Sequence, residues 1–102
     1  MKVTRVQYSV DQKFVDQNKK NIAAVMKELR SLKRNDVKYA AYLLEDGVTF
    51  MHLVHCASEE AEDVLTSLKS FEVFQEQVSD HFVNSPKVEH PTVVASSFDF
   101  FV

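Results

Sequence analysis

Two residues, His52 and Tyr39, combine side chains and spacing suited to chemistry on a small molecule. Both lie in segments with the alternation of a strand, and the turn at Asp46-Gly47 separates these segments. If the segments pair about this turn, Tyr39 is the diagonal cross-strand neighbour of His52, within reach of a long side chain. An imidazole and a phenol in an apolar pocket can bind or deprotonate a phenol-like or enolisable compound. The sequence therefore predicts His52 and Tyr39 as the catalytic pair.

Three further residues are predicted to contribute to this site. Phe50 and Val54 share a strand face with His52 and are expected to line the pocket. Arg5 would be an anion partner for a carboxylated ligand if it points inward, and otherwise contacts solvent. The competing interpretation of His52 is a buried histidine satisfied by hydrogen bonds at a dimer interface. The general rule that buried polar groups have structural partners favours that interpretation.

The other residues capable of metal or nucleophilic chemistry are not arranged for it. His55 and Cys56 are adjacent in a strand and therefore point to opposite faces, and His55 also points away from His52. His81 and His90 lack the spacing of a zinc site. With one glycine in the chain, a glycine-rich phosphate loop is excluded. We therefore expect no metal and no cofactor.

Length, charge and composition narrow the class of protein. The chain has 102 residues with 45% apolar residues, which predicts a single domain spanning residues 1–102. The net charge of −3 argues against nucleic acid as a partner. The single cysteine and the absence of a signal-peptide pattern predict the cytoplasm. No apolar run approaches the roughly 18 residues of a membrane span, so no membrane partner is expected.

The order of secondary structure predicts an α+β fold. The alternation of Val6 to Val10 predicts a first strand, and a long amphipathic helix capped by Asp11 is expected to stop near Asn35-Asp36. After the hairpin, Ser58 and Ser70 are expected to cap two helical pieces with a break between them, and Thr92 to Phe101 forms the last strand. The predicted fold is ferredoxin-like βαββαβ, a four-stranded antiparallel sheet with both helices on one face.

The hairpin predicts a homodimer. Asp46-Gly47 is typical of a two-residue type I′ turn, whose register pairs Leu43 with Phe50 and Tyr39 with Val54. In this register both faces of the sheet carry apolar side chains, although the helices can cover only one of them. A second copy of the chain is the economical cover for the other face.

The hairpin VKYAAYLLEDGVTFMHLV at residues 37–54 and the segment FEVFQE at residues 71–76, together with the order of elements, resemble the dimeric α/β-barrel superfamily. This superfamily includes the antibiotic-biosynthesis monooxygenase-like proteins. The resemblance implies that two sheets pack face to face as a barrel, with the helices outside and any ligand cavity on the inner face of each sheet.

The resemblance also implies a set of functions. We expect a protein that binds or oxidises a small hydrophobic or aromatic ligand in the barrel interior, in the manner of a cofactor-independent monooxygenase. The alternatives are a non-catalytic structural or regulatory homodimer without a pocket, and a haem-binding member of the superfamily. An enzyme would keep a cavity between the sheet and its partner, lined by Tyr39, Phe50 and His52.

Overall fold

A computed structural model describes residues 1–102 and confirms the ferredoxin-like fold class. The sheet is antiparallel with the strand order β2-β3-β1-β4, and the helices pack on one of its faces. The elements are β1 (Lys2–Ser9), a 3₁₀ turn (Gln12–Phe14), α1 (Val15–Ser31), β2 (Val37–Leu43), β3 (Thr49–Cys56), α2 (Glu59–Thr66), α3 (Lys69–Val78) and β4 (Lys87–Glu89).

The β2–β3 hairpin has the predicted register but a different turn. Leu43 pairs with Phe50 and Tyr39 with Val54, as expected. Of the two central residues of the turn, only Gly47 has positive φ, at 77°. The predicted type I′ turn is therefore wrong, because that turn requires positive φ at both central residues. Leu44 N donates to Thr49 O at 2.8 Å, which leaves residues 45–48 as the loop. The register survives because both loops are centred on the same peptide bond.

The last strand lies earlier than predicted. β4 is Lys87–Glu89, between the two prolines, and it pairs with β1 at the edge of the sheet. Residues 92–101 form no strand. Instead, the ring of Phe100 stacks on His55 with the centroids 4.2 Å apart, so this segment packs against the sheet face that lacks helices. Phe100 therefore contacts the sheet through its ring, and the segment does not extend the sheet.

Helix α1 is present as predicted, but both of its ends differ. The Asp11 side chain caps no helix; its Oδ2 lies 2.7 Å from His81 Nδ1, and a 3₁₀ turn intervenes before Val15. The helix ends at Ser31, earlier than Asn35-Asp36, and Lys33 just beyond it has a φ of 53°. A left-handed residue after the last turn stops the helix.

The second helical region has the predicted break, with α2 ending at Thr66 and α3 starting at Lys69. Ser58 caps α2, since its hydroxyl accepts from Ala61 N at 3.2 Å. Ser70 does not cap α3, because it lies inside the helix and its hydroxyl donates to Glu28 Oε1 at 2.6 Å. None of the helices combines the length and the hydropathy that a membrane crossing requires.

Candidate functional site

His52 lies between two tyrosine hydroxyls. Its Nδ1 is 2.6 Å from the hydroxyl of Tyr39, and its Nε2 is 2.8 Å from the hydroxyl of Tyr8. Both distances are those of hydrogen bonds, so each ring nitrogen of His52 has a partner. The predicted contact between His52 and Tyr39 is therefore present in the structure, whereas Tyr8 was expected only as a core residue of the first strand.

A fourth residue extends this arrangement into helix α1. Asn18 Nδ2 donates to the Tyr8 hydroxyl at 2.9 Å, and Asn18 Oδ1 is buried without a hydrogen-bond partner. The four side chains form one continuous run, Asn18–Tyr8–His52–Tyr39, which we call the polar chain. Such a connected set of buried groups fixes each member in one orientation.

The sheet register explains how these side chains meet. His52 on β3 pairs with Val6 on one side and with Ala41 on the other, which places Tyr8 and Tyr39 at diagonal positions on the same face. Asn18 lies on the buried stripe of α1. A polar residue on the apolar stripe of a helix was the signal in the sequence that could have identified Asn18.

Burial keeps all three titratable members of the polar chain uncharged at neutral pH. It lowers the pKa of His52 to about 4 and raises the pKa of Tyr8 to about 12, although the hydrogen bond from Asn18 acts in the opposite direction on Tyr8. Burial also raises the pKa of Tyr39. Charged forms are disfavoured because the surrounding protein cannot replace their hydration.

The polar chain forms part of the wall of a cavity of about 460 Å³. The cavity lies between the sheet and helices α2 and α3 of the same chain, so the expected position between the sheet and a partner is wrong. The reason is that the face carrying His52 is the face that the helices cover. Its lining is formed by Thr4, Val6, Tyr8, Tyr39, His52, Val54, Cys56, Glu62, Leu65, Thr66, Phe71, Phe74, Gln75, Val78, Ser79, Phe82, Pro86 and Val88.

The other predicted pocket residues divide between the cavity and the rest of the molecule. Val54 lines the cavity. Phe50 does not; it belongs to the core, where its ring packs against Tyr8 with the centroids 5.7 Å apart. Arg5 does not point inward. It lies on the opposite face, where it donates to Glu89 at 2.8 Å and to Gln7 at 2.6 Å.

The remaining histidines and the cysteine do not share one site. His55 is under Phe100, His81 is bonded to Asp11, and His90 Nδ1 lies 3.2 Å from Val3 O. Cys56 lines the cavity as a free thiol whose pKa is raised, mainly by burial. No three His, Cys, Asp or Glu residues are grouped closely enough to hold a metal ion.

Several solved structures share the fold of this chain. An antibiotic biosynthesis monooxygenase superposes with a TM-score of 0.76 at 12% identity, covering 93% of this chain and 100% of that protein. Rv0793 from Mycobacterium tuberculosis gives a TM-score of 0.77 at 12% identity, with coverage of 95% and 98%. PA3566 from Pseudomonas aeruginosa gives 0.73 at 12% identity, with coverage of 92% and 95%.

In sequence, no family model matches the chain and no curated protein is similar to it. The likeness to the solved structures is therefore one of architecture, and it spans nearly the whole chain in each case. The resemblance inferred from the hairpin and from residues 71–76 is confirmed at this level: the chain has the fold of the antibiotic biosynthesis monooxygenase-like proteins.

Proposed function

We propose that the cavity binds one small, largely apolar aromatic molecule whose polar group meets the Tyr39 hydroxyl, which is held by His52. The observation that carries this proposal is the combination of a mostly apolar cavity with the hydrogen-bonded Tyr39–His52 pair in its wall. A volume of about 460 Å³ lies in the range of small-molecule sites. The aromatic rings of Phe71, Phe74 and Phe82 in the lining suit a flat ligand.

The charges around the cavity favour a neutral ligand. Glu62 is the only charged residue in the lining, and its carboxylate is paired with Lys2 at 3.0 Å. No arginine or lysine lines the cavity, so a carboxylate or phosphate group on the ligand would lose its hydration without gaining a counter-charge. We therefore propose a neutral compound such as a hydroxylated aromatic or an aromatic ketone.

The reaction that we propose is oxidation of this ligand by molecular oxygen without a cofactor, in which one oxygen atom becomes a carbonyl oxygen of the product and the other leaves as water with two hydrogens of the ligand, so that the ligand supplies all of the electrons. Support comes from the monooxygenase name of a solved protein with the same fold and from the mostly apolar lining of the cavity. Within the cavity, the Tyr39 hydroxyl, held by His52, binds an oxygen atom of the ligand. Because burial lowers the pKa of His52 to about 4, His52 is a weak base, which favours hydrogen bonding over proton abstraction.

The arrangement does not favour haem as the ligand. An axial histidine needs a free ring nitrogen, but both nitrogens of His52 are hydrogen-bonded to tyrosine hydroxyls. Ligation would therefore break one of these bonds inside a buried network. The other histidines are not in the cavity lining.

We also propose that the chain forms a homodimer through the sheet face that lacks helices. This face carries Tyr42 and Ala40, which are exposed, and Met51 and Leu53, which are half-buried. The segment that ends the chain covers only part of this face, around His55. An apolar sheet face left open in this way is typical of a subunit contact.

Ligand binding is tested by titrating the protein with 2-naphthol and 1-indanone, followed by NMR and by thermal shift, with haem as a third probe. Binding of either aromatic probe should raise the melting temperature through mass action and perturb resonances of the lining residues. His52→Gln should weaken binding about tenfold, since it disturbs the polar end of the cavity.

His55→Gln is the matched control, because His55 lies on the opposite face of the same strand, and it should bind the probes as the unmodified chain does. Failure of both aromatic probes to perturb the lining residues would contradict the binding proposal. Oxygen uptake with a bound probe tests the reaction, and uptake no faster than in buffer alone would count against the oxidation.

A further inference from the structure

The two ends of the Asn18 amide differ in their hydrogen bonding. Asn18 is fully buried, its Nδ2 donates to Tyr8, and its Oδ1 has no partner. The amide therefore acts on the polar chain only as a donor. Because the Tyr8 oxygen accepts this hydrogen bond, the direction of the remaining bonds depends on where the single proton of Tyr8 finds an acceptor.

Counting protons along the polar chain gives the direction of its hydrogen bonds. The Tyr8 oxygen accepts from Asn18, and the acceptor within hydrogen-bond distance of its own buried proton is His52 Nε2, 2.8 Å away, so donation to this nitrogen is the arrangement that gives the Tyr8 proton a partner. A neutral imidazole carries a single N–H, which must then be at Nδ1. Nδ1–H donates to the Tyr39 oxygen, 2.6 Å away. The proton of Tyr39 has no acceptor in the protein, and Tyr39 lines the cavity.

We propose that Asn18 is a positioning residue that sets the direction of the polar chain, so that Tyr39 offers its proton to the cavity and the ligand oxygen bound there is a hydrogen-bond acceptor such as a carbonyl oxygen. The low basicity of His52 supports a neutral ring throughout. The ligand part of this inference rests on the proposed binding function, whereas the direction of the polar chain does not.

The direction of the polar chain is tested without any ligand. In ¹⁵N-labelled protein, two-bond ¹H–¹⁵N correlation spectra distinguish the two histidine tautomers by the shifts of the ring nitrogens, and His52→Gln assigns the His52 signals by their loss. The expected result is the Nδ1–H tautomer of His52. A His52 ring in the Nε2–H tautomer would overturn the inference.

The role of Asn18 itself is tested with a matched pair of variants on the same helix. Asn18→Leu removes the donor, so the His52 nitrogen shifts should move toward the average of the two tautomers. Asn21→Leu is the control, because Asn21 is also buried on α1 but bonds to Gln17 and Gln77 instead of the polar chain.

A folded Asn18→Leu variant that keeps the His52 shifts of the unmodified protein would overturn the role of Asn18. If Asn18→Leu does not fold, Asn18→Ala provides the same test, since it removes the same donor and leaves the Tyr8 hydroxyl beside His52.

The ligand class is tested with two probes of similar size, 1-indanone as an acceptor and indole as a donor. We expect the chain to bind 1-indanone about fivefold more tightly than indole, and Tyr39→Phe to remove this preference. Equal affinities in the unmodified chain would overturn the ligand class alone. No binding of either probe would contradict the proposed binding function, and the tautomer result would then still decide the direction of the polar chain.

Discussion

His52 is a neutral histidine held inside the protein, and this makes the stability of the fold depend on pH. The ring is 4% exposed and makes both of its hydrogen bonds to uncharged hydroxyl groups. The unfolded chain can protonate the ring at an ordinary pKa of 6.5, whereas the folded chain takes up this proton only near pH 4. Acid therefore favours the unfolded state.

The sign and size of this effect follow from proton linkage. Between pH 6.5 and about 4 the unfolded chain binds one more proton at His52, so the stability contributed above pH 6.5 is lost as the pH falls through this window. The loss should reach roughly 3 kcal/mol, at about 1.4 kcal/mol per pH unit. Urea unfolding from pH 7 to pH 4.5 measures it. His52→Gln should flatten the dependence relative to His90→Gln, a histidine outside the cavity lining, and equal slopes in the two variants would contradict the prediction.

The residues of the site differ in how readily they can be predicted from the sequence. The Tyr39–His52 contact was predictable because the local hairpin determines it through its register. Tyr8 and Asn18 were not identified as site residues, because their meeting depends on how β1 pairs with β3 and on which side of α1 faces the sheet. These are tertiary choices that a periodicity does not specify. For the same reason, the sequence did not determine on which face of the sheet Arg5 lies.

At the scale of the elements, the hairpin and the chain terminus show opposite outcomes. The hairpin combines alternation with a glycine turn, and two local signals that agree determine its pairing even though the turn type differs. The segment 92–101 has apolar residues but no local partner, so its composition alone suggested a strand. The observed β4 has only three residues and pairs with β1, a contact far apart in sequence.

Gly47 gives a testable prediction at this scale. Its φ of 77° lies in the left-handed region, while a Cβ at this position would meet no atom within 4 Å. Gly47→Ala should therefore destabilise the fold by about 1 kcal/mol through backbone conformation alone. Urea unfolding measures the change, with Glu45→Ala in the same loop as the control. A loss of unfolding free energy no larger than that of Glu45→Ala would show that the loop adopts another backbone conformation at no cost.

At the scale of the whole molecule, the two faces of the sheet have separate roles. One face, with the helices, forms the core and the cavity. The opposite face carries Tyr42, which is 49% exposed, and we propose that a second copy covers it. The two-layer architecture was predictable from the alternation of helix and strand patterns. Which face would hold His52 was not, because both faces are apolar.

The proposed dimer gives the prediction at this scale. Light scattering at micromolar concentration should report twice the chain mass of 11.7 kDa. Tyr42→Lys should shift the equilibrium toward the monomer, because it places a charge in the proposed apolar contact. Lys13→Glu, on the 3₁₀ turn away from this face, is the control and should remain dimeric. A folded monomer of the unmodified chain at this concentration would contradict the proposal.

The cavity lies between the sheet and helices α2 and α3, on the opposite side of the sheet from the proposed dimer contact. Each subunit of an assembly would therefore carry a complete and self-sufficient compartment. Occupation of one compartment requires no rearrangement of the shared contact, so saturation would follow a simple hyperbola with one equivalent per chain. Substitutions on one side of the sheet could then change which ligand binds, and substitutions on the other side could change how copies associate. The two kinds of substitution could accumulate independently.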